Sequence, residues 1–150
     1  MSMEFIQRRE AEEAEFPHRE LTERIIGAAI EVHRVLGPGL LESVYQRAME
    51  HELSLRELPF AAQRDIPVQY KGIVLGAALR LDLIVASRVI VEVKSAAAFE
   101  PIHGAQLLTY LKLVELKTGL LLNFNVVSMK SGIKRIVNPL LPSASSAPLR

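Results

Sequence analysis

Leu81-Asp82-Leu83-Ile84-Val85-Ala86-Ser87-Arg88-Val89-Ile90-Val91-Glu92-Val93-Lys94 is two apolar runs joined by a polar turn. Both runs are rich in Val, Ile and Leu, which favour strands. Residues two apart in a strand share a face, so Val89, Val91 and Val93 point one way while Glu92 and Lys94 point the other. Asp82 interrupts a run that reads as buried on both sides, and a buried carboxylate needs a partner or a metal. If the runs form a hairpin, the length of its loop decides whether Asp82 meets Glu92. A two-residue loop at Ser87-Arg88 sets them on opposite faces; a three-residue loop over Ala86-Ser87-Arg88, or a bulge, brings them together. The odd-length connection is expected. The plainer alternatives are a buried salt bridge from Asp82 to Arg80 or Arg64, and a weak surface ion pair between Glu92 and Lys94.

Outward from this hairpin, the period of the pattern changes. On its N-terminal side, Ile25, Ala29, Val32 and Leu36 recur at helical spacing, predicting a helix over 21–36 with Thr22 as N-cap. Gly37-Pro38-Gly39 stops it, with Gly37 suited to a left-handed cap. A second helix is expected over 40–57. Strands are expected over 63–70, 73–77, 79–85 and 89–94, with Lys71-Gly72 as a tight turn. Beyond the hairpin, Ile102, Ala105, Leu108 and Leu111 predict a helix over 101–116. Residues 119–125 read as a buried strand, and 132–137 as a short last one. This order implies an α/β fold: a mixed sheet with helices packed on it.

The flanks differ from this core. Residues 1–18 form a charged arm, either a frayed helix or disordered, and residues 140–150 have the Pro/Ser/Ala character of a disordered tail. The domain is therefore expected over 19–139. The chain has 150 residues, 49% hydrophobic and 23% charged, the balance of one soluble domain. It has no cysteine, which excludes a disulfide framework, a thiolate-ligated metal site and a cysteine nucleophile. No signal peptide or membrane span is visible, and a cytoplasmic location is expected. The net charge of +1 supplies no global attraction to nucleic acid, leaving only local patches such as Lys130, Lys134 and Arg135.

Two carboxylates and a lysine on one face are a set suited to magnesium, which prefers oxygen ligands and takes one or two protein carboxylates together with substrate phosphate. Such an ion polarises a phosphoryl oxygen and helps to generate hydroxide from water. Lys94 would stand beside the attacking water or the phosphate, where negative charge develops.

The order Asp82, then Glu92-Val93-Lys94, resembles the signature of the PD-(D/E)xK nucleases, with Leu81 in the place of the proline. Gly39-Leu-Leu-Glu-Ser-Val-Tyr45 is similar to the motif that names the GxxExxY family within them, and Gln106 with Tyr110 resembles the QxxxY element of RecB-like members. The resemblance runs from about Leu21 to Pro139. It implies a restriction-endonuclease-like fold of core order αβββαβ and a metal-dependent nuclease hydrolysing phosphodiester bonds. Asp82, Glu92, Lys94 and Glu42 would be the catalytic residues, with Asp82, Glu92 and Glu42 on the metal. Gln106, Tyr110 and Tyr45 would orient substrate. The implied cofactor is magnesium, with manganese as a substitute, and the implied partner is nucleic acid, DNA ahead of RNA. A homodimer through the apolar first helix is a further expectation. His33 and His103 also match family positions, but each is expected to be a hydrogen-bonded structural residue. The competing functions are a nucleic-acid-binding or protein-interaction module that keeps the fold without turnover.

Overall fold

The hairpin of residues 81–94 lies in a five-stranded sheet in the computed structural model, which describes residues 2–15 and 17–141. The elements run α1 (Met3–Glu15), α2 (Arg19–Leu36), α3 (Glu42–Leu55), β1 (Phe60–Tyr70), β2 (Ile73–Val85), β3 (Val89–Lys94), α4 (Pro101–Val114), β4 (Thr118–Asn123) and β5 (Ile133–Val137). The strands lie in sequence order, and every neighbouring pair is antiparallel except β3 and β4. That parallel pair is joined by α4, as a crossover requires. The mixed sheet flanked by helices is the restriction-endonuclease-like arrangement that the sequence implied.

The sheet separates two apolar cores. On one face, Val89, Val91 and Val93 of β3 pack with Leu120 and Leu122 of β4 beneath α2 and α3, which contribute Ile25, Ala29, Tyr45 and Met49. On the other, Ile90 and Leu121 pack against Leu107, Leu111 and Val114 of α4. Strand β4 is buried along its whole length, which explains its unbroken apolar run.

The β2–β3 connection has the expected parity. Val85 pairs with Val89, leaving Ala86, Ser87 and Arg88 as the loop, and the register Leu83↔Val91 carries on to set Asp82 opposite Glu92. Ala86 and Ser87 adopt positive φ, and the Arg88 N–H closes the turn onto Val85 O at 3.0 Å. At the other end of β2, Lys71 and Gly72 also take positive φ between the paired residues Tyr70 and Ile73, the two-residue turn read from the sequence.

Several expectations need correction. Residues 73–77 and 79–85 are not separate strands; β2 runs unbroken over Ile73–Val85, with its pairing to β1 shifting register between Val74 and Ala78. Thr22 is not the N-cap: α2 starts earlier, behind His18, and the buried Thr22 hydroxyl donates to Arg19 O and accepts from Arg135 Nη2. Gly37 does have φ +71°, but its ψ of −178° is not that of a left-handed cap. It is a conformation open almost solely to glycine. The charged arm forms a helix, α1, exposed over 2–11. Of the C-terminal segment, Leu140 and Leu141 are tied to Asn138 and Lys117, and residues 142–150 lie outside those described. Among the described residues, no helix is long and apolar enough to cross a membrane.

Candidate active site

The ladder between β2 and β3 stops at Leu83↔Val91, and two carboxylates take over where it stops. The Val93 N–H donates to Asp82 Oδ2 at 2.8 Å, while the Asp82 N–H points to Glu92 Oε1 at 3.4 Å. Each strand's acid thus receives the other strand's amide. Side-chain alternation along β2 also breaks here, for Leu83 faces the α2–α3 core whereas Leu81 faces the α4 core. Asp82 stands at this fork with Glu92 opposite.

The electrostatics are those of two acids brought together, one of them buried. Glu92 is only 5% exposed. Burial pushes its pKa from the ordinary 4.5 up to about 9, reinforced by the neighbouring charge of Asp82 and a hydrogen-bonding contact with it, while Lys94 pulls weakly the other way. Neighbouring carboxylates disfavour each other's ionisation, which favours a proton or a cation at Glu92. Two carboxylate oxygen donors set side by side fit a hard divalent ion. Among the described residues, no three histidine, aspartate or glutamate side chains converge as a larger ligand group.

The other named residues surround this pair to different degrees. Lys94 is half-buried at the end of β3. Tyr110, on α4, is held above the usual phenol range by burial and then by the charges of Glu92 and Asp82, so its hydroxyl lies within reach of the pair's field. A hydrogen-bonding contact from Gln106, one turn earlier, works in the opposite sense. Glu42 is exposed in the first turn of α3. The loop just before it is anchored to the end of β3, where the Ser95 hydroxyl donates to Leu40 O at 2.7 Å. Tyr45 lies in the core instead of at a surface that substrate could touch. It is fully buried and stacked on Phe124 at 4.7 Å, and its hydroxyl donates to Gly37 O and accepts from the Leu40 N–H at 3.1 Å. Its observed work is to hold the Gly37–Leu40 loop.

The alternative partners for Asp82 fall away in part. Arg80 turns to Asp65 at 2.9 Å on the exposed face of the β1–β2 hairpin. Arg135 is directed inward to Thr22, so it does not join Lys130 and Lys134 in a surface patch. Both histidines are engaged as expected: His33 Nε2 lies 2.7 Å from Val126 O, and His103 Nδ1 accepts from the Glu100 N–H at 3.1 Å.

Two residues escaped the sequence reading. Gln46, almost buried on α3, donates to the main-chain carbonyl of Asp82 at 2.9 Å. Asn123, buried at the end of β4, accepts the Ala96 N–H at 3.0 Å and donates to Ala96 O at 2.9 Å, fastening the segment that leaves Lys94. Gln46 lies one turn after Glu42, but that spacing does not announce a bond to a main-chain carbonyl remote in sequence. Asn123 gave no signal beyond a polar residue in an apolar run.

Fold and site together define a nuclease-type domain. Residues 19–136 match the family model of the PD-(D/E)XK nuclease superfamily, and the chain belongs to that superfamily. No curated protein and no solved structure matches it.

Proposed function

We propose that this protein is a metal-dependent nuclease that hydrolyses phosphodiester bonds in DNA, and that it stands in the GxxExxY branch of the superfamily. The observation that carries this reading is the meeting of half-buried Asp82 with buried Glu92, whose pKa burial and the Asp82 charge push up to about 9. A magnesium ion, with manganese as its substitute, would supply a Lewis acid and lower the pKa of a water.

The chain's own residues divide the remaining work. Asp82 and Glu92 would hold the ion. Lys94, on the same face of β3 as Glu92, would orient the attacking water and stabilise charge developing on the phosphoryl group. Tyr110 and Gln106 would steady the substrate or the acids from α4. Glu42 lies on the same helix face as Gln46, which reaches Asp82, and this supports Glu42 as an outer carboxylate of the site. Tyr45 would act through the Gly37–Leu40 loop and not on the substrate.

Cleavage of single- and double-stranded DNA and RNA, with magnesium or manganese, tests the proposal in wild type, Asp82→Asn and Lys94→Ala. Metal-dependent cleavage of DNA that disappears in both variants is the expected result. Cleavage that survives both substitutions would place the activity elsewhere, and binding without cleavage by wild type would favour a module without turnover.

A further inference from the structure

We propose that Gln46 is a positioning residue that fixes Asp82 from helix α3. Its catalytic consequence rests on the nuclease reading, but its geometry does not. Gln46 is 7% exposed, although glutamine usually stays in solvent. Its Nε2 donates to Asp82 O at 2.9 Å and lies 3.3 Å from Glu50 Oε2. Both neighbours are acceptors, so turning the amide over would set Oε1 against two oxygens. Glu50 therefore fixes the orientation of Gln46, and Gln46 restrains Asp82.

The place of that restraint gives it meaning. Asp82 lies just beyond Leu83, the last residue of β2 paired with β3, and although β1 pairs with Leu81 and Leu83 on either side of it, side-chain alternation breaks here. On the β3 side the ladder no longer fixes the Asp82 main chain, and the Gln46 bond to its carbonyl adds a hold for a carboxylate that must keep the geometry a metal site demands. Gln46 Oε1 is itself buried without a hydrogen-bond partner among the described residues. A buried acceptor left so is costly, and it marks a position that an ordered water would complete. Glu42 and Glu50 lie one turn to either side of Gln46, so the three share one face of α3.

Hydrogen exchange at the Val93 amide, which donates to Asp82 Oδ2, reads this positioning without requiring turnover. Gln46→Met keeps the side chain's bulk and removes the amide. It is expected to speed Val93 exchange about tenfold relative to the amides of β4, as the loss of a local restraint would. Glu50→Gln keeps an acceptor for Nε2 and should leave Val93 at the wild-type rate. Glu50→Leu removes the acceptor and should give part of the acceleration. Unchanged Val93 exchange in Gln46→Met overturns the proposal. Should that variant unfold, unchanged exchange in Glu50→Leu overturns it instead. Cleavage is measured on the same proteins, with loss in kcat and retained substrate binding as the expected consequence. A Val93 response in a protein whose wild type cuts nothing upholds the positioning and sinks the nuclease reading. Wild-type cleavage without a Val93 response sinks the positioning alone.

Discussion

Glu92→Gln should flatten the dependence of folding stability on pH. Glu92 is almost wholly buried, and its pKa rises from 4.5 to about 9 on folding. Between those values the folded chain keeps a proton that the unfolded chain has released. The folded state therefore binds more protons, and stability falls as pH rises through this window. One group contributes at most about 1.4 kcal/mol per pH unit, so moving from about pH 6 to about pH 8 costs up to about 3 kcal/mol. That is a large share of the roughly 5–15 kcal/mol that holds an ordinary domain together. Urea unfolding followed by circular dichroism, with a chelator present, measures it at both pH values in wild type and variant. The difference between the two proteins reports the acid pair, in which Glu92 is linked to Asp82. Wild type should weaken toward high pH, the glutamine variant much less, and magnesium should recover the wild-type loss, since a bound cation takes the proton's place. Equal pH slopes in the two proteins would refute the reasoning.

Tyr45→Phe removes the hydroxyl that holds Gly37 O and the Leu40 N–H. It should cost about 1–3 kcal/mol in urea unfolding and reduce cleavage by loosening the loop before Glu42. In Gly132→Ala the new Cβ would stand 2.0 Å from Asn123 O, so the backbone must shift. A loss of about 1–3 kcal/mol or more is expected, read as a lower urea midpoint. Arg80→Ala breaks only the exposed pair with Asp65 and should leave both stability and cleavage at wild-type levels; a marked loss of cleavage would mean that Arg80 serves Asp82 after all.

Much of the site was legible because it follows from strand parity. Once residues 81–94 read as two strands, a single odd-length loop brings Asp82 to Glu92, and Val85↔Val89 is that loop. The helices were legible from apolar spacing, with ends shifted by a few residues. Continuity of β2 was not, since the small residues Gly76, Ala77 and Ala78 look like a break, and the strand passes them with a register shift against β1 between Val74 and Ala78. Thr22 had the composition of a cap but was claimed by Arg135, a partner remote in sequence. Tyr45 belonged to a recognisable motif, yet the motif could not say whether its ring faced substrate or Phe124. Gln46 was hidden for the complementary reason: its function lies in one long-range bond to a main-chain carbonyl, which no local pattern announces.

Calorimetric titration of the protein with magnesium near neutral pH, in buffers of differing ionisation enthalpy, asks whether the acid pair takes the ion. Glu92 holds its proton at that pH, so binding should release about one proton per ion, and Asp82→Asn should abolish the binding. Magnesium bound without proton release, or bound equally by Asp82→Asn, would contradict the assignment of Asp82 and Glu92 as the metal-holding pair.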